Sequence, residues 1–228
     1  LLRLLLGLSV GPIRIDIPPL SFGSDAINAH TQYSNPIAVL EGEAPGIGAS
    51  FTLGAGNEMV CAAADWIVTQ LDGATVGDLV SSPGGLHSVL SNPLQMRWLS
   101  PNAGVPLMAA GLVINTLIDA AAKVSRMPAW EYLALLPTDS LLDLIDTRAL
   151  PPRLDRAQVA GVLEAGRDQV ESRARLLRET GIPVYFTTWL GHSADQIADQ
   201  IVEQRTERGI SRFKMKITRD LAADSAKL

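Results

Sequence analysis

A single cysteine and a deficit of positive charge are what this 228-residue chain shows first. Cys61 cannot form an intrachain disulfide, so the fold has no covalent staples and suits a reducing compartment, the cytoplasm. On a helix it reads as a small buried hydrophobe. Nineteen Lys and Arg face 24 Asp and Glu, a net charge of −5, and the scattered cations leave no electrostatic footprint for nucleic acid. The opening "LLRLLLGLSV" looks like a signal-peptide core, but it lacks a basic leading region, and "GPIRIDIPP" offers no small-residue cleavage pattern, so secretion is not expected. No later apolar run reads as long enough to span a bilayer, and no membrane partner is expected. The first residue is Leu rather than Met, and the sequence is expected to lack its natural start. What remains, 47% apolar and 19% charged residues, is a globular composition for one large domain or two modest ones.

The early stretch alternates apolar and polar residues in "PIRIDI", then offers "PIAVLEGE" and "IGASFTL" around an "APG" turn, the pattern of an antiparallel meander. After Gly56 the period changes. "NEMVCAAADWIVTQL" predicts a helix, and "GVPLMAAGLVINTLIDAAAKV" a longer one buried on most sides. Leu79, Leu86, Val89 and Leu90 suggest shorter helices between them. Strands followed by helices make residues 1–137 an α+β unit. From 138 the pattern changes: "LLDLIDT" is a short apolar run, and "AQVAGVLEAGRDQVESRARLLRETG" one charged amphipathic helix. "IPVYFTTWL" is a strand, "SADQIADQIVEQRTERG" a helix with Ser193 as N-cap and Gly209 as stop, and "SRFKMKI" a second strand. Strand, helix, strand with short loops is a βαβ unit with parallel strands, compatible with a barrel or an open sheet.

The second of those strands places Lys214 and Lys216 on one side, with Phe213, Met215 and Ile217 on the other, packed under helices. If the lysines enter a barrel interior, repulsion and desolvation favour the neutral amine at one of them, which is how a general base is made. If the strand lies at an edge, both are solvated cations. Spacing leaves both readings open.

At these residues the chain resembles the enolase superfamily and, within it, the L-fuconate dehydratase group. "GSDAIN", Tyr33–Ser34, "FTLGAGNEMV", "QMRWLSPNAGV", "WEYLALL", "WLGHSAD" and "RFKMKI" follow in the same order and similar spacing across residues 12–228, about the first half of the family's usual length. The K-x-K pattern is common; "GSDA" with Tyr33 and "FTLG" is far more specific. The resemblance implies an α+β capping domain, residues 1–137, followed by an incomplete modified (β/α) barrel of TIM type, residues 138–228, with its site at the C-terminal ends of the strands. It implies that Lys216 removes the α-proton of a small-molecule sugar acid and that Lys214 holds the carboxylate. Magnesium would stabilise the resulting enediolate, and loss of the 3-hydroxyl would give a 2-keto-3-deoxy acid. Gly23, Ser24, Asp25 and Tyr33 match the family's substrate-contacting positions, and hydroxyls, a carboxylate and an open backbone suit a polyol. By itself "GSD" is an ordinary turn. A homo-oligomer is compatible with this reading.

The chain departs from the family in several places. "AHTQ", Ala29 to Gln32, stands where an acidic, proline-containing stretch is usual; "FTTWLG" is shorter than the family's segment; and Thr218 replaces a glycine. The family's carboxylate magnesium ligands and its catalytic histidine would fall beyond Leu228, so no metal ligand is assigned. His30, His87 and His192 read as surface or satisfied histidines, and Asp143 and Asp146 as a solvated or structural pair. Two function classes follow. One is an L-fuconate dehydratase, or another acid-sugar dehydratase of the superfamily, represented by an N-terminal portion that is inactive alone. The other is a non-catalytic truncated product that survives by associating with a partner.

Overall fold

The computed structural model describes residues 13–16, 19–20, 23–24, 29–30, 33–41, 45–50, 52, 56–71, 74–75, 98–99, 103–145, 154–188, 192–217 and 220–225, those from 13 to 33 by their backbone. The first alternating segment forms β1 (Ile13–Asp16), which pairs antiparallel with β6 (Ile37–Leu40), itself antiparallel to β7 (Gly46–Ala49). Between β1 and β6 the chain makes a nested excursion: β2 (Pro19–Leu20) pairs with β5 (Tyr33–Ser34), and β3 (Gly23–Ser24) with β4 (Ala29–His30). Ile13 lies opposite Leu40 in the first pair, and Gly23 opposite His30 in the last. The expected meander is a three-stranded antiparallel sheet with two separate two-stranded pairings, whose residues Leu20–Tyr33 are called the arm below.

The sheet's inner face is covered by α1 (Asn57–Thr69) and α2 (Gly104–Val124). Val60, Ala64, Ile67 and Leu71 recur at helical spacing and meet Leu112, Val113, Leu117, Ala120 and Ala121 of α2 and Ala38 and Leu40 of β6 in one core. Each fully buried leucine contributes roughly 1.5–3 kcal/mol. Among the described helices, α2 is long and apolar enough, by length and composition, to cross a membrane, which corrects the expectation that no later run would be; here more than half of it is buried in this core. Its approach to β7 depends on Gly46 and Gly48: a Cβ at the first would overlap the Thr116 carbonyl and Ala120, and one at the second the Leu112 carbonyl and Thr116. Asp119 accepts the Ile47 N–H at 2.8 Å and Lys123 donates to the Pro45 carbonyl at 2.9 Å, tying the edge strand to the helix.

Past α2 come α3 (Ala129–Leu135) and α4 (Thr138–Leu144), which takes in most of the apolar run expected at 141–147. Asp155 then opens α5 (Arg156–Ala165) with a capping box: its side chain accepts from Gln158 N and the Gln158 side chain accepts from Asp155 N. The single charged helix expected from 157 to 181 is broken. α5 ends at Gly166, a short 3₁₀ turn covers Arg167–Gln169, and α6 (Val170–Thr180) follows. The break lets Arg167 donate to the Leu136 carbonyl and to Thr138 Oγ1. The short helices expected around Leu79 to Leu90 lie outside the described residues.

Two compact units result. One comprises Leu1–Pro19 and Ser34–Ala174; the other comprises Leu20–Tyr33 and Arg175–Leu228. The division differs from the pattern change at 137/138, because α4 packs on α5 and α5 leads into the 3₁₀ turn.

Candidate active site

In the second unit, β8 (Phe186–Thr187) runs parallel to β9 (Phe213–Lys214), with Phe186 opposite Phe213 and Thr187 opposite Lys214. The crossover is α7 (Ala194–Arg208), capped by a Ser193–Gln196 capping box and stopped at Gly209, whose φ of 66° needs a glycine. These are the expected cap and stop. Parallel neighbours joined through a helix form the βαβ unit read from the sequence. A short helix, α8 (Leu221–Ser225), follows.

The lysines are only partly as expected. Lys214 ends β9 and is exposed; Lys216 lies two residues on, outside the strand, and is half-buried. Phe213 and Met215 are half-buried, but Ile217 is 74% exposed and does not pack under a helix. Of the two readings left open, Lys214 fits the solvated edge lysine, while Lys216 is in partial shelter. Among the described residues this sheet has two strands, which leaves Lys214 in water. Thr188 was not anticipated. It is buried, its N–H donates to the Lys214 carbonyl at 3.1 Å and its hydroxyl lies 3.5 Å from the same oxygen. It pins the strand end from which Lys216 departs; a threonine just past a strand's end was the available signal.

The substrate-loop candidates sit on the arm. Gly23 and Ser24 form β3, Tyr33 belongs to β5, and Asp25 lies outside the described residues. Two residues of "AHTQ" are β4, so Ser24 lies opposite Ala29 and Gly23 opposite His30. Although some 180 residues separate them in sequence, the arm's Leu20–Tyr33 and the stretch bearing Lys214 and Lys216 fall in one compact unit.

The remaining candidates have structural partners. His192 Nδ1 lies 3.1 Å from Gln200 Oε1, within hydrogen-bond distance. His30 is in β4; His87 and Asp146 lie outside the described residues. Asp143 makes an ion pair with Arg156 at 2.8 Å. Cys61 is on α1, half-buried rather than fully buried. Among the described residues no three His, Cys, Asp or Glu side chains come together.

No family model matches the sequence. The chain is 31% identical over 214 residues to L-galactonate dehydratase of Hypocrea jecorina, covering 90% of this chain and 47% of that protein. It is 30% identical over 223 residues to human mitochondrial enolase superfamily member 1, covering 95% of this chain and 50% of that one. The crystal structure of that human protein superposes with a TM-score of 0.80 at 27% identity over 96% of this chain and 52% of its own. Along nearly its whole length the chain is similar to proteins of the enolase superfamily. It spans about half the length of the relatives it matches. L-talarate/galactarate dehydratase from Salmonella typhimurium LT2, liganded with Mg and L-lyxarohydroxamate, shares the fold at 18% identity and a TM-score of 0.59, covering 94% of this chain and 45% of the Salmonella chain.

Proposed function

We propose that this chain is part of an acid-sugar dehydratase whose substrate is L-fuconate. Residues 1–137 would be its capping domain and 138–228 the first part of a (β/α) barrel, acting in the cytoplasm. The observation that supports the reading most is the grouping of the arm with the K-x-K strand in one unit, since a polyol-gripping loop and a base must share a substrate. Lys216, as the free amine, takes the proton from C2. The C2–H electron pair passes into the carboxylate as an enediolate and then into a C2=C3 bond as the C3–O bond breaks. The hydroxide leaves as water, and the enol tautomerises to the 2-keto-3-deoxy acid. Lys214, exposed and cationic, holds the carboxylate; Ser24, Asp25 and Tyr33 meet hydroxyls, and Gly23 lets the backbone approach. Magnesium, implied by the resemblance, would stabilise the enediolate's negative charge when bound.

L-Galactonate is the second reading, favoured by the Hypocrea relative. L-Fuconate is 6-deoxy-L-galactonate, so the two acids share every stereocentre and differ in one hydroxyl at C6. The decisive assay expresses the gene's complete reading frame and offers both acids with magnesium. The expected result is 2-keto-3-deoxy product with a higher kcat/KM for L-fuconate. A preference for L-galactonate would move the substrate assignment, and product from neither acid would defeat the dehydratase reading.

A further inference from the structure

β7 stands at one end of the sheet order β1-β6-β7, so among the described residues one of its sides has no neighbouring strand. The ladder decides which backbone groups face that side. The Ser50 N–H donates to the Pro36 carbonyl at 3.1 Å, and bonding alternates along an antiparallel pair, so Gly46 and Gly48 bond to β6. Pro45, Ile47 and Ala49 therefore turn their backbone groups to the open edge. Two of those groups are occupied from α2: the Ile47 N–H donates to Asp119 Oδ2 at 2.8 Å, and the Pro45 carbonyl accepts from Lys123 Nζ at 2.9 Å. The two side chains, one helical turn apart, are themselves joined at 2.7 Å. Ile47, Asp119, Lys123 and Pro45 thus form one continuous line of contacts along the edge.

An exposed ion pair between neighbouring turns of a helix adds little stability by itself. This one covers the donor and the acceptor that an open edge would offer to a strand of another chain. We propose that Asp119 and Lys123 close the β7 edge against strand addition by a second copy of this chain. Two copies of β7 related by a two-fold axis would run antiparallel and set donors opposite acceptors, so the edge is complementary to itself. Ile47 and Ala49, both exposed, carry no charge that would oppose such pairing. The block rests on the two α2 side chains.

Sedimentation velocity on the 228-residue chain over a concentration series tests it. Asp119→Ala combined with Lys123→Ala keeps the net charge, and should bring in a species of twice the wild-type mass at a concentration at least about tenfold lower than wild type needs, the effect of a freed hydrogen bond or two. Hydrogen exchange should show peptides covering 45–50 gaining protection as that species fills. Adding Ile47→Lys should restore the wild-type mass, because it sets cations of the two copies side by side. Asp143→Ala with Arg156→Ala, which removes a different ion pair, should leave the mass as in wild type. A double variant of Asp119 and Lys123 that keeps the wild-type mass throughout would overturn the proposal. So would association that survives Ile47→Lys or leaves 45–50 unprotected, the marks of general destabilisation. If the double variant does not fold, Lys123→Ala alone, which frees only the Pro45 carbonyl, is read against the same outcomes.

Discussion

At position 216 the proposed chemistry asks for an amine that can lose its proton, a stricter demand than positive charge. Lys216→Ala in the complete enzyme should cut kcat by about 10²–10⁴-fold and stop exchange of the substrate's α-proton with solvent deuterium. Lys216→Arg should fail nearly as badly, because a guanidinium keeps its proton near neutral pH. Exchange surviving in Lys216→Ala would move the base elsewhere. Lys214→Ala should raise KM more than it lowers kcat, since an exposed cation at the strand end is suited to holding a carboxylate. The alternation of "FKMKI" made the lysine pair visible in the sequence. The difference between the two was hidden, because it depends on which strands flank β9 and on where the strand ends, after Lys214. Thr188 was hidden for a similar reason: it acts through a backbone carbonyl far away in sequence, which no local pattern encodes.

Elements that follow from local periodicity were legible to the residue. The long apolar helix was read at Gly104–Val124 and observed there, and Ser193 and Gly209 bound α7 as their chemistry dictates. The break at Gly166 was not, since an amphipathic pattern runs across it and the reason for it is Arg167 reaching Leu136 and Thr138. Helix and sheet meet where Gly48 lies under α2. Gly48→Ala should lower stability by about 3 kcal/mol, the upper range for overpacking, because the obstacle is helix backbone and cannot swing aside. Thermal unfolding measures it; an unchanged melting temperature would show that the helix can lift. Tyr132 of α3 gives a pH test. Burial raises its phenol above the ordinary 10.0, so the folded state holds that proton more tightly than the unfolded chain does. Its contribution is complete below pH 10 and is lost as the pH climbs through the raised value. Denaturant titrations should therefore show stability falling above pH 10, with a shallower fall in Tyr132→Phe; equal slopes would assign the loss to other groups.

For the molecule as a whole, the division of labour between its two compact units matters more than its length. The first unit carries the core and the three-stranded sheet; the second carries Leu20–Tyr33 and the lysine strand. The proposed grip and the proposed base both fall in the second unit, whereas among the described residues no three His, Cys, Asp or Glu side chains come together. Magnesium demands near-octahedral oxygen ligation at about 2.0–2.1 Å, usually one or two protein carboxylates with waters and substrate oxygens completing the shell. Without such carboxylates, charge developing on the substrate's carboxylate during proton removal would have only Lys214 to oppose it, and one solvated cation in high dielectric is worth on the order of 1 kcal/mol. Purified residues 1–228 should then show no saturable heat when titrated with magnesium, and no 2-keto-3-deoxy acid should form from L-fuconate, while the complete reading frame does both. Saturable magnesium binding by residues 1–228 would place ligands among the residues not described, and turnover by them would mean that the described base and grip suffice, removing the need for any later strand.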